Sequence, residues 1–282
     1  MKTAHYLCAF LFFLFASTSY SQKDTTLKPG WNQSGVISLG LNQVALSNWV
    51  QGGENIISLS GAGDFRATQL GKKSIWSNRM FFNLGSTKTG GGNFQTNDNN
   101  LVLENILAWK VGWAVNPFIS NSIRTPILNG YDYSKDPAEQ SAAFFDPGYV
   151  TQSIGFTYGT KVLNTRIGVA FQETFTNKFR QYTDDIETAD EREAFKFETG
   201  LESVTEANYG FAENMAYISR LRLFSAFDRF DTWDVAWDNA IIAKVNDFLS
   251  VNLNFTLFFD KVQSPKTQFK EGIQIGINYA VL

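Results

Sequence analysis

Apolar and polar residues alternate along the C-terminal stretch of the chain. Phe269, Ile273, Ile275, Ile277, Tyr279 and Val281 fall on one side, and Lys270, Gly272, Gln274, Gly276, Asn278 and Ala280 on the other. The stretch before it repeats the arrangement: Leu249, Val251, Leu253, Phe255, Leu257 and Phe259 alternate with Ser250, Asn252, Asn254 and Thr256. A period of two sustained this long predicts a β-strand with one apolar and one polar face. The same pattern predicts twelve strands in all, over 33–46, 54–69, 74–88, 100–111, 114–126, 149–162, 165–178, 193–206, 211–227, 232–245, 248–261 and 267–282.

The predicted connections alternate in length. Short turns fall at 70–73, 112–113, 163–164, 207–210 and 246–247. Longer loops fall at 47–53, 89–99, 127–148, 179–192 and 261–266, and the brief link at 228–231 belongs with the second set. Short turns on one side and longer loops on the other are the layout of an outer-membrane barrel. The strands also exceed the ~5–6 residues typical of soluble sheets. The expected fold is all-β: a single transmembrane antiparallel β-barrel of about twelve strands, with about ten or fourteen as alternatives, short periplasmic turns and longer extracellular loops.

Composition agrees with a membrane setting. Aromatics make up 15% of the chain and charged residues 18%, below the ~25% charged that is usual in soluble domains. The N-terminus reads as a cleaved signal peptide over residues 1–21. Lys2 and His5 precede an apolar run from Tyr6 to Ala16, and Ser19 and Ser21 stand before a cut at Gln22. The run is shorter than the ~20 residues a spanning helix needs. Residues 22–30 are expected to be a periplasmic segment and 31–282 the barrel, placed in the outer membrane after export. The net charge of −3 is mild and argues against nucleic-acid binding.

In such a barrel the apolar faces meet lipid and aromatics gather at the interfaces. Trp76, Trp109, Tyr158 and Tyr279 are expected at the short-turn ends, and Trp233, Tyr149 and Phe259 at the loop ends. The polar faces look inward and predict a lumen charge network: Asp64, Arg79, Glu198, Glu202, Arg220, Arg222, Asp234 and Asp238, with Lys196 and Lys244 on the same faces and Arg66, Glu104, Lys110 and Arg166 as extensions. The predicted turns set Glu198 opposite Arg220, Arg222 opposite Asp238 and Asp64 opposite Arg79. Opposite charges in a narrow lumen are expected to pair, because an unpaired buried charge is costly.

The segment Leu46-Ser47-Asn48-Trp49-Val50-Gln51-Gly52-Gly53-Glu54-Asn55 resembles the N-W-x-x-G-G-x-N signature of the DUF3078 family, uncharacterised exported proteins of Bacteroidota regarded as outer-membrane barrels. The resemblance implies location and fold and supplies no activity. Asn48, Trp49, Gly52, Gly53, Glu54 and Asn55 would form the first outward loop, where Gly-Gly permits a sharp reversal.

The only histidine, His5, and the only cysteine, Cys8, lie in the predicted leader. Without them, Ser-His-Asp and Cys-His catalysis are unavailable and so is a Cys/His zinc site. Acidic runs at 184–191 (Asp184, Asp185, Glu187, Asp190 and Glu191) and at Asp228, Asp231, Asp234 and Asp238 lack EF-hand spacing. The chain is therefore expected to be non-enzymatic, with no cofactor and no metal. The first functional expectation is a narrow porin-like channel for small polar solutes. The alternative is a non-conducting structural or accessory subunit of an outer-membrane assembly. Outer-membrane lipids are the expected partners, with room for a protein partner. The loop at 127–148 holds Tyr131, Tyr133, Phe144 and Phe145 and is a candidate plug.

Overall fold

The computed structural model describes residues 28–47, 53–184, 192–261, 264 and 266–281. The strands are β1 (Gly30–Val44), β2 (Ile56–Leu70), β3 (Ser74–Thr89), β4 (Gln95–Trp109), β5 (Asn116–Thr125), β6 (Gly130–Asp132), β7 (Glu139–Ala142), β8 (Gly148–Gly159), β9 (Leu163–Phe175), β10 (Phe195–Ala212), β11 (Met215–Ala226), β12 (Asp234–Lys244), β13 (Leu249–Phe259) and β14 (Gln268–Ala280). All but β6 and β7 form one closed antiparallel barrel of twelve strands, each paired with its neighbours in sequence. β6 and β7 make a small separate hairpin inside the connection from β5 to β8. Closure comes from β1 against β14, running from Val36 opposite Ala280 to Leu41 opposite Ile275. No edge is left open, so the backbone donors and acceptors of every barrel strand have a neighbour on each side.

Each of the twelve predicted strands coincides with one barrel strand. Most boundaries shift by one to four residues, and two differ by more. β4 begins at Gln95, well before residue 100. β10 runs on to Ala212, so the turn is at Glu213–Asn214 and not at 207–210. Alternation continues through the proposed turn: Tyr209 and Phe211 remain exposed on the outer face. Asn214 then holds the turn to the end of β12 through bonds with the Lys244 backbone, Asn214 Nδ2 donating to the Lys244 carbonyl at 3.0 Å.

The apolar residues of the alternation face outward. Leu39, Ile273, Ile275 and Ile277 are about as exposed as side chains in a sheet can be, Ile273 at 63%. In water this belt would be a severe aggregation liability; against acyl chains it is the expected surface of a spanning barrel. Trp76, Trp109, Tyr158 and Tyr279 are exposed toward the short-turn end, and Trp31 meets Trp76 with ring centroids 5.5 Å apart. Tyr149 departs from its expected place in the outer girdle. Its parity on β8 turns it inward, where its ring lies under the Arg124 guanidinium at 4.4 Å. No helix among the described residues is long and apolar enough to cross a membrane.

Candidate functional site

The inward faces of the strands build a lumen crossed by a partition of charges. Glu104 on β4 receives Arg220 of β11 at 2.9 Å and also pairs with Arg166 of β9. Glu206 on β10 pairs with Arg220 as well, and Arg79 of β3 approaches it at 3.6 Å. Arg79 then grips Asp64 on β2 at 2.9 Å from both nitrogens, and Arg66 holds the same carboxylate at 3.0 Å. In barrel order β4 and β11 are five strands apart, as are β3 and β10. The bridge therefore spans the lumen nearly from wall to wall.

On one side of the partition, between β4 and β11 through β5, β8, β9 and β10, the lumen is packed. Glu202 accepts hydrogen bonds from Ser153 at 2.5 Å and Arg222 at 2.8 Å, and Arg222 also reaches Gln172 at 2.9 Å. Phe118, Val204 and Phe224 are buried inward on the same wall. Buried carboxylates here always have a guanidinium, as low-dielectric burial demands. Toward the loop end, Glu198 is held by Arg229 and, at 3.0 Å, by Lys196. Arg229 lies in the turn after β11. Burial alone would lower its pKa, but the charge and hydrogen bond of Glu198 hold it above the ordinary arginine value.

The other side, walled by β12, β13, β14, β1 and β2, carries mainly small polar side chains, with Val36, Ile242 and Phe258 among them. Ser34, Asn42, Arg66, Asp238, Lys270 and Gly272 are exposed there, on inward-facing positions between the two ends of the barrel. It narrows at Gly40, where the Ser60 hydroxyl donates to the Gln274 carbonyl oxygen at 2.9 Å. Gly40 stands between their strands, and a Cβ on it would lie 2.3 Å from the Ser60 oxygen and 2.7 Å from that of Gln274. Below, Ser38, Asn278, Ser250 and Asn252 form one hydrogen-bonded chain. Above, Lys270 of β14 crosses to the Asp98 carboxylate and the Asn97 carbonyl of β4, four strands away around the barrel.

Several expected pairings are corrected. Glu198 does not face Arg220: with the turn at Glu213–Asn214, Arg220 stands opposite Glu206, and Glu198 stands opposite Gln172. Arg222 does not face Asp238, because Asp238 is opposite Arg220 and takes its hydrogen bond from Thr256 at 2.8 Å. Asp64 and Arg79 do pair, but diagonally, since the residue directly across from Arg79 is Arg66. Asp234 sits at the loop end, close enough for its charge to act on Arg229. Lys110 belongs to the turn, donating to the Gly71 carbonyl at 3.0 Å. Glu206 is absent from the expected network although it shares the parity of Glu202, because the predicted strand ends on it, next to the turn expected at 207–210.

The loop between β5 and β8 is tied to β4 at one end and to the segment after β9 at the other. Asn99 receives the Ile127 and Leu128 amides at 2.8 Å, and the Tyr133 hydroxyl accepts the Thr96 amide at 3.0 Å. At its other end Asp146 accepts the backbone amides of Asn177, Lys178 and Phe179 at 2.8–3.3 Å. Tyr131, Phe144 and Phe145 stay exposed, with Phe145 against Phe175 on the outer face. Of the motif loop, Asn48, Trp49 and Gly52 lie outside the described residues, as do Asp185, Glu187, Asp190 and Glu191 and the predicted leader. Gly53 takes a φ of 111°. Glu54 lies beside Gly90. Asn55 closes the loop by accepting the Leu46 amide at 2.6 Å.

Fold and lumen together define a membrane-spanning β-barrel with a charged interior. Residues 41–131 match a family described as a protein of unknown function (DUF3078), the family the Asn48–Asn55 segment resembles. No curated protein matches the chain. Among solved structures, the COG4313 outer membrane channel from Pseudomonas putida F1 is similar at 10% identity, over 93% of this chain and 99% of that one, with a TM-score of 0.40. The translocator domain of the autotransporter NalP from Neisseria meningitidis is similar at 7% identity over 91% and 90%, with a TM-score of 0.38. The Ralstonia pickettii toluene transporter TbuX is similar at 8% over 90% of each chain, with a TM-score of 0.30.

Proposed function

We propose that this protein is a non-enzymatic outer-membrane channel that passes small polar solutes along the β12–β14, β1 and β2 side of its lumen. The observation that carries this reading is the lopsided interior. One wall is filled by buried ion pairs and aromatic side chains, whereas the facing wall bears serine, asparagine and glycine with exposed charges at both ends. Barrels of ~8 strands fill their interior with side chains and porins of ~16–18 leave a wide channel; a twelve-stranded barrel with half its lumen packed fits a narrow path. The partition would set the shape of that path and hold its electrostatics constant, because its carboxylates are already matched to guanidinium groups. Outer-membrane lipids cover the apolar belt in this reading.

Single-channel recording of the purified protein in a planar bilayer tests it. Small reproducible steps, with ion selectivity that shifts on Asp238→Ala, are expected. A silent bilayer from a barrel whose folding is verified by heat-modifiable gel migration would remove the channel reading and leave a non-conducting accessory barrel.

A further inference from the structure

The outer face carries one feature that lipid does not explain. Asn78 on β3 stands opposite Asn105 on β4, Asn105 opposite Asn121 on β5, and Asn121 opposite Gln152 on β8. All four share the outward parity of Met80, Leu103, Ile119 and Ile154, which are exposed. They form a continuous row of carboxamides across four adjacent strands. Asn105 donates to Asn78, and Asn78 donates to the Ala67 carbonyl at 3.3 Å. Asn121 is exposed, and neither it nor Gln152 has a side-chain hydrogen bond among the described residues.

The row lies at hydrocarbon depth. Asn78 is two positions past Trp76 and Asn105 four positions before Trp109, on the membrane side of both girdle residues. Ile154, Phe156 and Tyr158 separate Gln152 from the short-turn end of β8. Several outward polar groups elsewhere satisfy one another. Tyr217 donates to Asn239, Trp237 Nε1 donates to Ser219 at 3.0 Å, and Thr165 bonds Thr205 at 3.1 Å. The row at Asn121 and Gln152 is left open. Beside it, Phe65, Met80, Leu103 and Ile123 form a parallel apolar row, and the two rows border a groove of about 460 Å³.

We infer that this face is an interface with a second copy of the same chain within the membrane. An acyl chain offers no hydrogen bond, and an open polar group in hydrocarbon is costly. A soluble partner does not reach this depth. A carboxamide carries donors and an acceptor together, so a row of them complements an identical row. A two-fold axis along the bilayer normal makes such a contact isologous. Because hydrogen-bonded rows in a tilted barrel are inclined to the membrane plane, the two rows cross. Asn105 and Asn121, at the middle of the row, meet their equivalents at the axis. The apolar row then packs beside them. Leu39 on β1 and Ile273, Ile275 and Ile277 on β14, three to five strands away around the barrel from β4 and β5, are exposed and face lipid.

The full chain, carrying Cys8→Ser and a single introduced cysteine, tests the interface in isolated membranes under mild oxidation. Asn121→Cys is expected to give a disulfide-linked dimer, and Ile275→Cys at least tenfold less. Light scattering of the detergent-purified wild type is expected to give twice the mass of one processed chain. The combined Asn78→Leu, Asn105→Leu, Asn121→Leu and Gln152→Leu change is expected to leave a heat-modifiable barrel that is monomeric. A monomeric wild type at every concentration overturns the inference, as does equal cross-linking at both positions. An adduct of Asn121→Cys with a protein of another mass also overturns it, by assigning the face to a different occupant.

Discussion

Glu104 and Arg220, 116 residues apart in the chain, meet at 2.9 Å across the barrel lumen. Arg166 closes on the same carboxylate from a third strand. Both Glu104 and Arg166 are buried, and Arg220 has Glu206 as a second partner, so Glu104 is the one carboxylate that the two guanidinium groups share.

Removing that counter-charge is the most direct test of the partition. Glu104→Gln leaves Arg166 facing a neutral amide while Arg220 keeps Glu206, and losing one partner of a buried pair costs about 3–5 kcal/mol. The variant is expected to unfold at lower urea concentration in lipid vesicles by a free energy in that range. An unchanged midpoint would show that water reaches the cluster freely.

The narrow point at Gly40 gives a prediction for transport. Gly40→Leu places a side chain where Ser60 and Gln274 now bond over bare backbone. Their side chains can turn aside, so the barrel is expected to fold and run heat-modified on a gel. Conductance is expected to fall severalfold. Equal conductance in the folded variant would move the path away from this wall.

A strap at the loop end makes the opposite prediction. Lys270 reaches over β1, β2 and β3 to Asp98, with both side chains partly exposed. Exposed pairs contribute ~0–1 kcal/mol, so Lys270→Ala should leave stability almost unchanged. Single-channel steps are expected to grow, because the mouth loses a side chain that crosses it. Steps of wild-type size would mean that the strap lies outside the path.

Asp146 joins two long loops by accepting three backbone amides. Asp146→Ala leaves those donors without their acceptor, at ~1–3 kcal/mol for a buried group. Protease added outside intact cells is expected to cut within 126–147 or 176–194 several times faster than in the wild type, with the barrel fragment surviving. Unchanged cleavage would show that Asn99 and Tyr133 suffice to hold the loops.

How far the charge network could be read in advance depended on turn position. β9 and β10 have clean alternation, so Glu198 and Glu202 were placed on the inner face without difficulty. Setting the β10–β11 turn at 207–210 shifted the register, moved Arg220 away from Glu206 and paired it with Glu198. The evidence for the longer strand was present in the outward alternation of Tyr209 and Phe211, but a Tyr-Gly step also reads as a turn. Tyr149 shows the same difficulty at a strand end: a residue near the interface belongs to the girdle or the lumen according to parity alone.

The sequence by itself determined the strands, about twelve of them, the alternation of short and long connections and the face that most side chains take. These are local properties, because a period of two and the chemistry of turns are written in neighbouring residues. Tertiary structure alone decided that Glu104 meets Arg220 and Arg166, that Lys270 reaches Asp98, that Ser60 bonds Gln274 over Gly40, and that four carboxamides line up on the outer wall. Each of these depends on the register between strands and on how the sheet closes. Closure sums the stagger of every strand pair around the barrel, and no single segment of the chain contains that sum.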